Sequence, residues 1–348
     1  MATTRPDSPR VRVLLLGDSH LGFDHPRRPR VDRRRRGPDF VRGLRLALAP
    51  ALRGEVDLVV HGGDLFHRPS VPSEVVGLGV AALLEVADAG VPVALVPGNH
   101  ERARLPEPLL FRHPRLHVFD RPRTHTLTVA GVTVALSGFP FHRRIGHRFG
   151  ALVEATGVLE TAATLRLLCA HQSFEGAVVG AHDWVFRPGP DVVAGRALPD
   201  GIAAVLSGHI HRAQLLRHDL DGRPLPCPVA YAGSTERTSI VERNEVKGYA
   251  VLTFACGPPR GALAEARFVP LPTRPMHRVA LDPSGLPADR LRQRLRDRLA
   301  ALAPDAVVSV SLPGLAPDAL DAASLRALAP PTMNVELARP RVEARPTP

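Results

Sequence analysis

A chain of 348 residues, 44% of them hydrophobic, predicts about two domains, or one large domain with an appendage, and has enough apolar content for a proper core. Its formal charge of +11 is carried almost wholly by arginine, with Lys247 the only lysine, and favours an anionic partner, most commonly nucleic acid phosphate. Three scattered cysteines argue against a disulfide framework or a zinc ribbon, the opening MATTRPDSPR lacks the apolar stretch of a secretory signal, and no apolar run is long enough for a membrane-spanning helix, so a cytoplasmic protein without a membrane partner is expected.

Residues 11–16, VRVLLL, are a short apolar run stopped by Gly17 and predict a buried strand. Helical spacing follows over 42–52, then a strand over 56–60, a helix over 72–89 and a strand over 92–96 that ends at Pro97-Gly98. This β-α-β-α-β order predicts parallel strands joined by right-handed crossovers, with all three carboxyl ends on one edge, where such sheets gather their functional groups. Further strands are predicted over 124–129 and 132–137, a hairpin around Ala130-Gly131, and over 165–169, 203–206, 229–232, 249–255 and 264–269. This second half reads as richer in hairpins, and the sum is an α/β sandwich with helices outside two inner sheets. After PLPTRP at 270–275, a strand over 277–281, a helix over 287–302, a strand over 306–312 and a short helix over 317–328 predict a small α+β domain. The expected division is 1–272, 273–340 and a disordered tail over 341–348.

Polar residues follow the apolar strands in a consistent way. GDSH brings Asp18 and His20, GGDLFH brings Asp64 and His67, GNHE brings Asn99, His100 and Glu101, AHQS brings His171, and SGHIHR brings His209 and His211. Residues at i and i+2 of extended chain point the same way, so Asp18 with His20, and His209 with His211, can each present two ligands to one place. Carboxylate oxygens with imidazole nitrogens suit manganese, iron or zinc. Any one of the sixteen histidines is more readily structural than a ligand. Five motifs in order at successive strand ends are a different matter. Asp18, His20, Asp64, Asn99, His171, His209 and His211 are too many for one ion and suit two, which can clamp the attacking and leaving oxygens of a phosphoryl displacement.

The order GDSH…GD…GNHE…H…GHIH resembles the calcineurin-like metallophosphoesterases. The resemblance implies a four-layer α/β/β/α sandwich and two divalent ions, with manganese expected. One ion would be held by Asp18, His20, Asp64 and His211. The other would be held by Asp64, Asn99, His171 and His209, with Asp64 shared. It implies that His100 protonates the leaving oxygen or steadies the transition state, that the ions lower the pKa of the attacking water, and that Glu101 orients His100 through a hydrogen bond.

Within that superfamily, GDLFHRPSVPSE is similar to the second motif of the double-strand-break repair nucleases of the SbcD type. YAGSTERTSIVERNEVKGYAVL at 231–252 is similar to another of their segments, and RPMHRVALD through PPTMNVELA to their small capping domain. That branch implies a DNA exonuclease or endonuclease of repair and recombination, with His67 touching the substrate phosphate. The expected partner is DNA. PRRPRVDRRRRG at 26–37 adds an arginine run beside the first metal motif, so Arg33, Arg34, Arg35 and Arg36, with Ser234 and Arg237, are expected to meet phosphates. The SbcD-type nucleases continue past the cap into helices that bind a coiled-coil ATPase; no amphipathic helix pair follows Met333, which leaves that partner in doubt, and a homodimer is the family's other association. The rival readings are a nucleotide or small-molecule phosphodiesterase of the same fold, which needs neither an arginine loop nor a cap, and a non-enzymatic DNA-binding subunit, which does not explain a full set of ligands.

Overall fold

A computed structural model describes residues 9–25, 33–102, 105, 113–258, 260–314 and 320–338. The expected tail over 341–348 and the part of the arginine run before Arg33 lie outside these described residues. The chain divides into two compact units. The first takes 1–24, 37–236 and 245–272, and the second takes 25–36, 237–244 and 273–348.

The first unit begins with β1 (Arg10–Leu16), α1 (Gly37–Leu52), β2 (Leu58–His61), α2 (Ser73–Asp88), β3 (Val93–Leu95) and β4 (Leu116–Val118). It continues with β5 (Arg123–Val129), β6 (Val132–Gly138), α3 (Phe149–Thr156), β7 (Leu165–His171) and four two-residue strands, β8 (Ser173–Phe174), β9 (Val178–Val179), β10 (Trp184–Val185) and β11 (Val192–Val193). It closes with β12 (Ala204–Gly208), β13 (Gln214–His218), β14 (Pro224–Tyr231), β15 (Gly248–Ala255) and β16 (Ala262–Pro270).

One six-stranded sheet runs β16-β15-β1-β2-β3-β4 and the other β13-β14-β12-β7-β6-β5. In each, the central strands are parallel: β1 to β4 in the first, and β6, β7, β12 and β14 in the second. Alternation along β1 explains the layering. Val11, Val13 and Leu15 join the core that takes side chains from both sheets, whereas Leu14 and Leu16 join the core formed with α1 and α2. Residues of α3 complete a third core on the outer face of the second sheet. The result is the expected four layers, helix, sheet, sheet, helix.

The hairpin at Ala130-Gly131 is present, with both turn residues at positive φ. The second half is the richer in hairpins, as expected: β5–β6, β9–β10, β13–β14 and β15–β16 each pair antiparallel. β7 is joined to β6 by a crossover through α3, and the centre of the second sheet is parallel. Strands such as LRLLCAH and AVLSG are buried along nearly their whole length, as a sheet covered on both faces requires.

The second unit contains β17 (Met276–Ala280), α4 (Ala288–Ala300), β18 (Val307–Ser311), α5 (Ala322–Ala327) and β19 (Asn334–Leu337). Its three strands are parallel, and Leu291, Leu295 and Leu299, four residues apart on α4, pack with Val308, Val310 and Leu325. β19 was not expected; it is four residues long, with a single buried residue, Val335. No helix among the described residues is long and apolar enough to cross a membrane.

Candidate active site

Asp18, Asp64 and Asn99 follow the carboxyl ends of β1, β2 and β3, His171 ends β7, and His209 and His211 follow β12. The parallel order of both sheets therefore carries all of them to one edge. Backbone bonds tie the ends together. Asp18 N–H donates to the Gly63 carbonyl at 2.9 Å and His20 N–H to the Asp64 carbonyl at 3.0 Å, joining the two loops of the first sheet. Gly208 N–H reaches the Gly62 carbonyl at 3.2 Å, joining one sheet to the other. This last contact requires glycine on both sides. A Cβ on Gly62 would lie 2.6 Å from Gly208 N, and one on Gly208 would lie 2.4 Å from the Gly62 oxygen.

Four of the expected ligands have left-handed backbone: Asp18 (φ 51°), His20 (φ 44°), Asp64 (φ 52°) and His209 (φ 86°). Such conformations cost on the order of 1–3 kcal/mol each and persist where the surroundings impose them, commonly at functional sites.

The side chains converge. His20 Nε2 lies 3.0 Å from His211 Nε2, and His211 Nε2 lies 3.8 Å from Asp18 Oδ1. His171 Nε2 lies 3.3 Å from Asp64 Oδ2 and 2.9 Å from Asn99 Oδ1, which is also 2.9 Å from His209 Nδ1. Both carboxylates are buried, and each accepts a backbone N–H: Asp18 from His209 and Asp64 from His100. His171 Nδ1 donates to the Gly62 carbonyl at 2.8 Å, which turns Nε2 toward Asp64 and Asn99.

Ionisation follows from burial and neighbours. Burial raises the Asp18 carboxyl against the nearby His211 and His171. Burial would also raise Asp64, but the charge and hydrogen bond of His171, then His20 and His100, hold it below the usual carboxylate range. Burial opposes a charge on His171, yet Asp64 prevails and lifts it to about 9. Burial, with the adjacent His171, lowers His209 to about 3, and burial with His211 lowers His20, so both present neutral imidazole.

This donor set suits divalent cations. One ligand atom each from Asp18, His20 and His211 lie within 4.8 Å of one another, and so do atoms of Asp18, Asp64 and His171. Three atoms so spaced can close on one ion at roughly 2.0–2.2 Å with small adjustments.

His67 and His100 stand beside these groups. The His67 ring is 5.4 Å from that of His20 and 5.3 Å from that of His100. Burial, then His100 and Arg68, lowers His67 to about 4, and its buried Nδ1 has no hydrogen-bond partner among the described residues. His100 Nδ1 donates to the His67 carbonyl at 2.8 Å, which turns Nε2 to within 3.9 Å of Asp64 Oδ2.

Two expectations are corrected. Glu101 does not orient His100; its carboxylate accepts the N–H groups of Phe66 and Gly98, both at 2.8 Å, and bolts the loop after β3 to the loop after β2, while the His67 carbonyl holds His100. Burial, with Asp64 nearby, pushes Glu101 up to about 8. Ser234 is fully buried and its hydroxyl donates to the Glu236 carbonyl at 2.9 Å, so it does not present itself to a phosphate. Within the second unit, the Arg36 guanidinium donates to the Arg237 carbonyl, Arg34 to the Thr332 carbonyl, and Arg237 to the Glu242 and Arg274 carbonyls and the Thr273 hydroxyl. These side chains staple loop backbone that lacks partners in regular structure. Arg33 donates to the Arg34 carbonyl, and Arg35 lies in the same stretch.

The sequence motifs missed Ser19 and His61, whose Oγ and Nε2 are 2.9 Å apart beneath the ligand loops. They also missed Gly98, where a Cβ would lie 2.1 Å from Asp64 Oδ1. Ser19 and Gly98 sit inside quoted motifs and His61 directly before one, but only the folded contact marks them.

Comparison with known proteins places this geometry. The family described as calcineurin-like phosphoesterase matches residues 11–213. The chain is 34% identical over 311 residues to the DNA double-strand break repair protein Mre11 of Haloferax volcanii, covering 87% of this chain and 62% of the relative. It is 27% identical over 286 residues to the protein of the same name from Aeropyrum pernix, covering 78% of this chain and 63% of the relative. The chain thus spans a little under two thirds of these relatives' length. Among solved structures, a dimetal phosphatase from Danio rerio aligns with a TM-score of 0.43 at 11% identity, covering 73% of this chain and 98% of its own.

Proposed function

The chain belongs to the calcineurin-like phosphoesterases, and on that premise we propose that it is a two-metal nuclease that hydrolyses phosphodiester bonds of DNA in break repair. The observation that carries this reading is the convergence of two buried carboxylates, an amide oxygen and four imidazoles on one sheet edge, with His67 and His100 beside them. The similarity to Mre11 proteins over 87% of the chain, extending past the family match into the second unit, supports DNA as the substrate.

Asp18, His20 and His211 would hold one ion, Asn99, His171 and His209 the other, and Asp64 both. When bound, the two ions, for which manganese is proposed, polarise the phosphate and lower the pKa of the attacking water. The protein's own part is positional. Left-handed backbone and the Gly62–Gly208 contact fix the ligands before substrate arrives. Nε2 of His100, with Nδ1 committed to the His67 carbonyl, carries the proton to the leaving oxygen. His67, whose ring stands 5.4 Å from that of His20 and 5.3 Å from that of His100, is the group that meets a phosphate oxygen of the strand. A reducing cytoplasm is proposed as its location, consistent with three buried free cysteines.

The test is cleavage of end-labelled linear duplex and single-stranded DNA with Mn2+, run beside bis-p-nitrophenyl phosphate, with Asp64→Asn as the control. Metal-dependent DNA degradation that vanishes in Asp64→Asn is expected. Turnover of the small diester with DNA left intact would overturn the DNA reading in favour of a small-substrate phosphodiesterase.

A further inference from the structure

Lys247 is the only lysine in a chain whose other basic side chains are all arginine, and it is buried to 1% exposure. Its ammonium donates to the backbone carbonyl of His211 at 2.9 Å and to Glu245 Oε2 at 2.8 Å. Ser234 N–H donates to the same His211 carbonyl at 3.2 Å. The chain passes so close there that a Cβ on Gly233 would lie 2.8 Å from that oxygen. Glu245 also reaches Arg212 Nε at 3.5 Å, and Arg212 is tied to the Gly180 carbonyl and to Asp183. The peptide that follows His211 is therefore gripped at its carbonyl and again through the next side chain.

His211 needs such a grip. Its side chain is 24% exposed, whereas those of Asp18 and His171 are fully buried and packed in place. An ammonium is a compact point charge with three tetrahedral donors; a planar guanidinium is larger and presents its donors in a fixed fork. At a fully enclosed position between a carbonyl and a carboxylate, the compact donor fits. This accounts for a lone lysine in a chain that otherwise uses arginine.

We propose that Lys247 is a positioning residue for the metal site: by fixing the His211 carbonyl it places the His211 ring at the Asp18–His20–His211 group, so that the ion held there depends on Lys247 while the ion at Asn99, His171 and His209 does not. This rests on the two-ion reading above.

The experiment is a Mn2+ titration of the full chain, by calorimetry and by electron paramagnetic resonance, on the wild type, Lys247→Met, His211→Ala and the double variant, each first shown to melt cooperatively in EDTA. Loss of an outer partner of a metal ligand costs about 10–100-fold in affinity, so Lys247→Met is expected to weaken one Mn2+ by that factor and leave the other unchanged. The double variant is expected to be no weaker than His211→Ala alone, because Lys247 acts through His211. With bis-p-nitrophenyl phosphate, the Mn2+ concentration for half-maximal rate should rise by the same factor while the rate at saturating Mn2+ returns toward that of the wild type. Two unchanged affinities, two affinities lowered alike, or losses that add in the double variant would each overturn the proposal. Should Lys247→Met fail to fold, Glu245→Gln decides: it removes the carboxylate that holds the ammonium, and is expected to weaken the same single ion. A wild type that binds two Mn2+ but leaves DNA intact would sink the DNA reading and leave this one standing; a wild type with fewer than two sites would sink both.

Discussion

Gly98→Ala isolates one contact on which the site depends. Gly98 has no positive φ to protect, so space alone forbids a side chain there. A Cβ would lie 2.1 Å from Asp64 Oδ1, 2.5 Å from Asp64 N and 2.8 Å from Asp64 Cγ, where ordinary contact begins at 3.4 Å. The carboxylate could swing aside, but the backbone nitrogen could not, because the Asp64 carbonyl receives His20 N–H at 3.0 Å and Oδ1 receives His100 N–H at 2.9 Å. The Asp64 carboxylate must therefore move by roughly 1 Å, and a displacement of that size at a reacting centre costs on the order of 100-fold in rate. Overpacking of this kind costs about 1–3 kcal/mol of stability, so the variant should still fold. Gly17→Ala is the control from the same class of motif: its Cβ would meet nothing nearer than 3.5 Å, and it should stay within about threefold of the wild-type rate. The assay is Mn2+-dependent hydrolysis of bis-p-nitrophenyl phosphate, with melting in EDTA and Mn2+ titration alongside. A folded Gly98→Ala protein with wild-type turnover and metal affinity would refute the argument that this glycine clears room for Asp64.

Two other outcomes follow from burial. His61 is fully buried and lowered to about 3, by burial and then by His171, so it stays neutral in the fold while the unfolded chain protonates it near pH 6.5. A base depressed in this way costs nothing above pH 6.5 and subtracts stability as pH falls below it, by about 2 kcal/mol at pH 5; melting between pH 7.5 and 5 in EDTA should show that loss, and an unaltered slope in His61→Asn would count against it. Gly77, exposed on α2 with open space around its Cα, should accept alanine with a gain of up to about 1 kcal/mol, and a lowered midpoint in guanidinium would show that the helix face is less open than it looks.

The convergent Asp, Asn and His residues were legible because each stands next to something a linear sequence displays. An apolar run ends, a glycine follows, and an Asp, Asn or His comes next; the parallel order of both sheets turns that local pattern into a shared edge. Direction was not legible. Glu101 adjoins His100 in GNHE, and adjacency suggested a hydrogen bond between them, but the turn sends its carboxylate to the amides of Gly98 and Phe66, and the carbonyl of His67 takes the place it was expected to fill. The local contacts of the arginines were illegible for a related reason. Composition shows that they are cations, and only the folded chain shows that Arg36 and Arg237 cap carbonyls of their own unit. That the centre of the second sheet is parallel was not legible either, since LRLLCAH is apolar enough to be buried from both sides in any pairing.

The glycines carry the most instructive part of this. HGGD and SGHIH each display glycine before the ligand, and taken singly each glycine suggests only a tight turn. Gly62 and Gly208 are needed for one another: they come from different sheets, far apart in sequence, and meet backbone to backbone with no room for a methyl group on either. Their contact sets the distance between Asp64 on one sheet and His209 and His211 on the other. The separation of the two groups of ligands is thus fixed by backbone, the stiffest material the chain has, and side chains such as Lys247 and Glu101 have only to trim what that contact already sets.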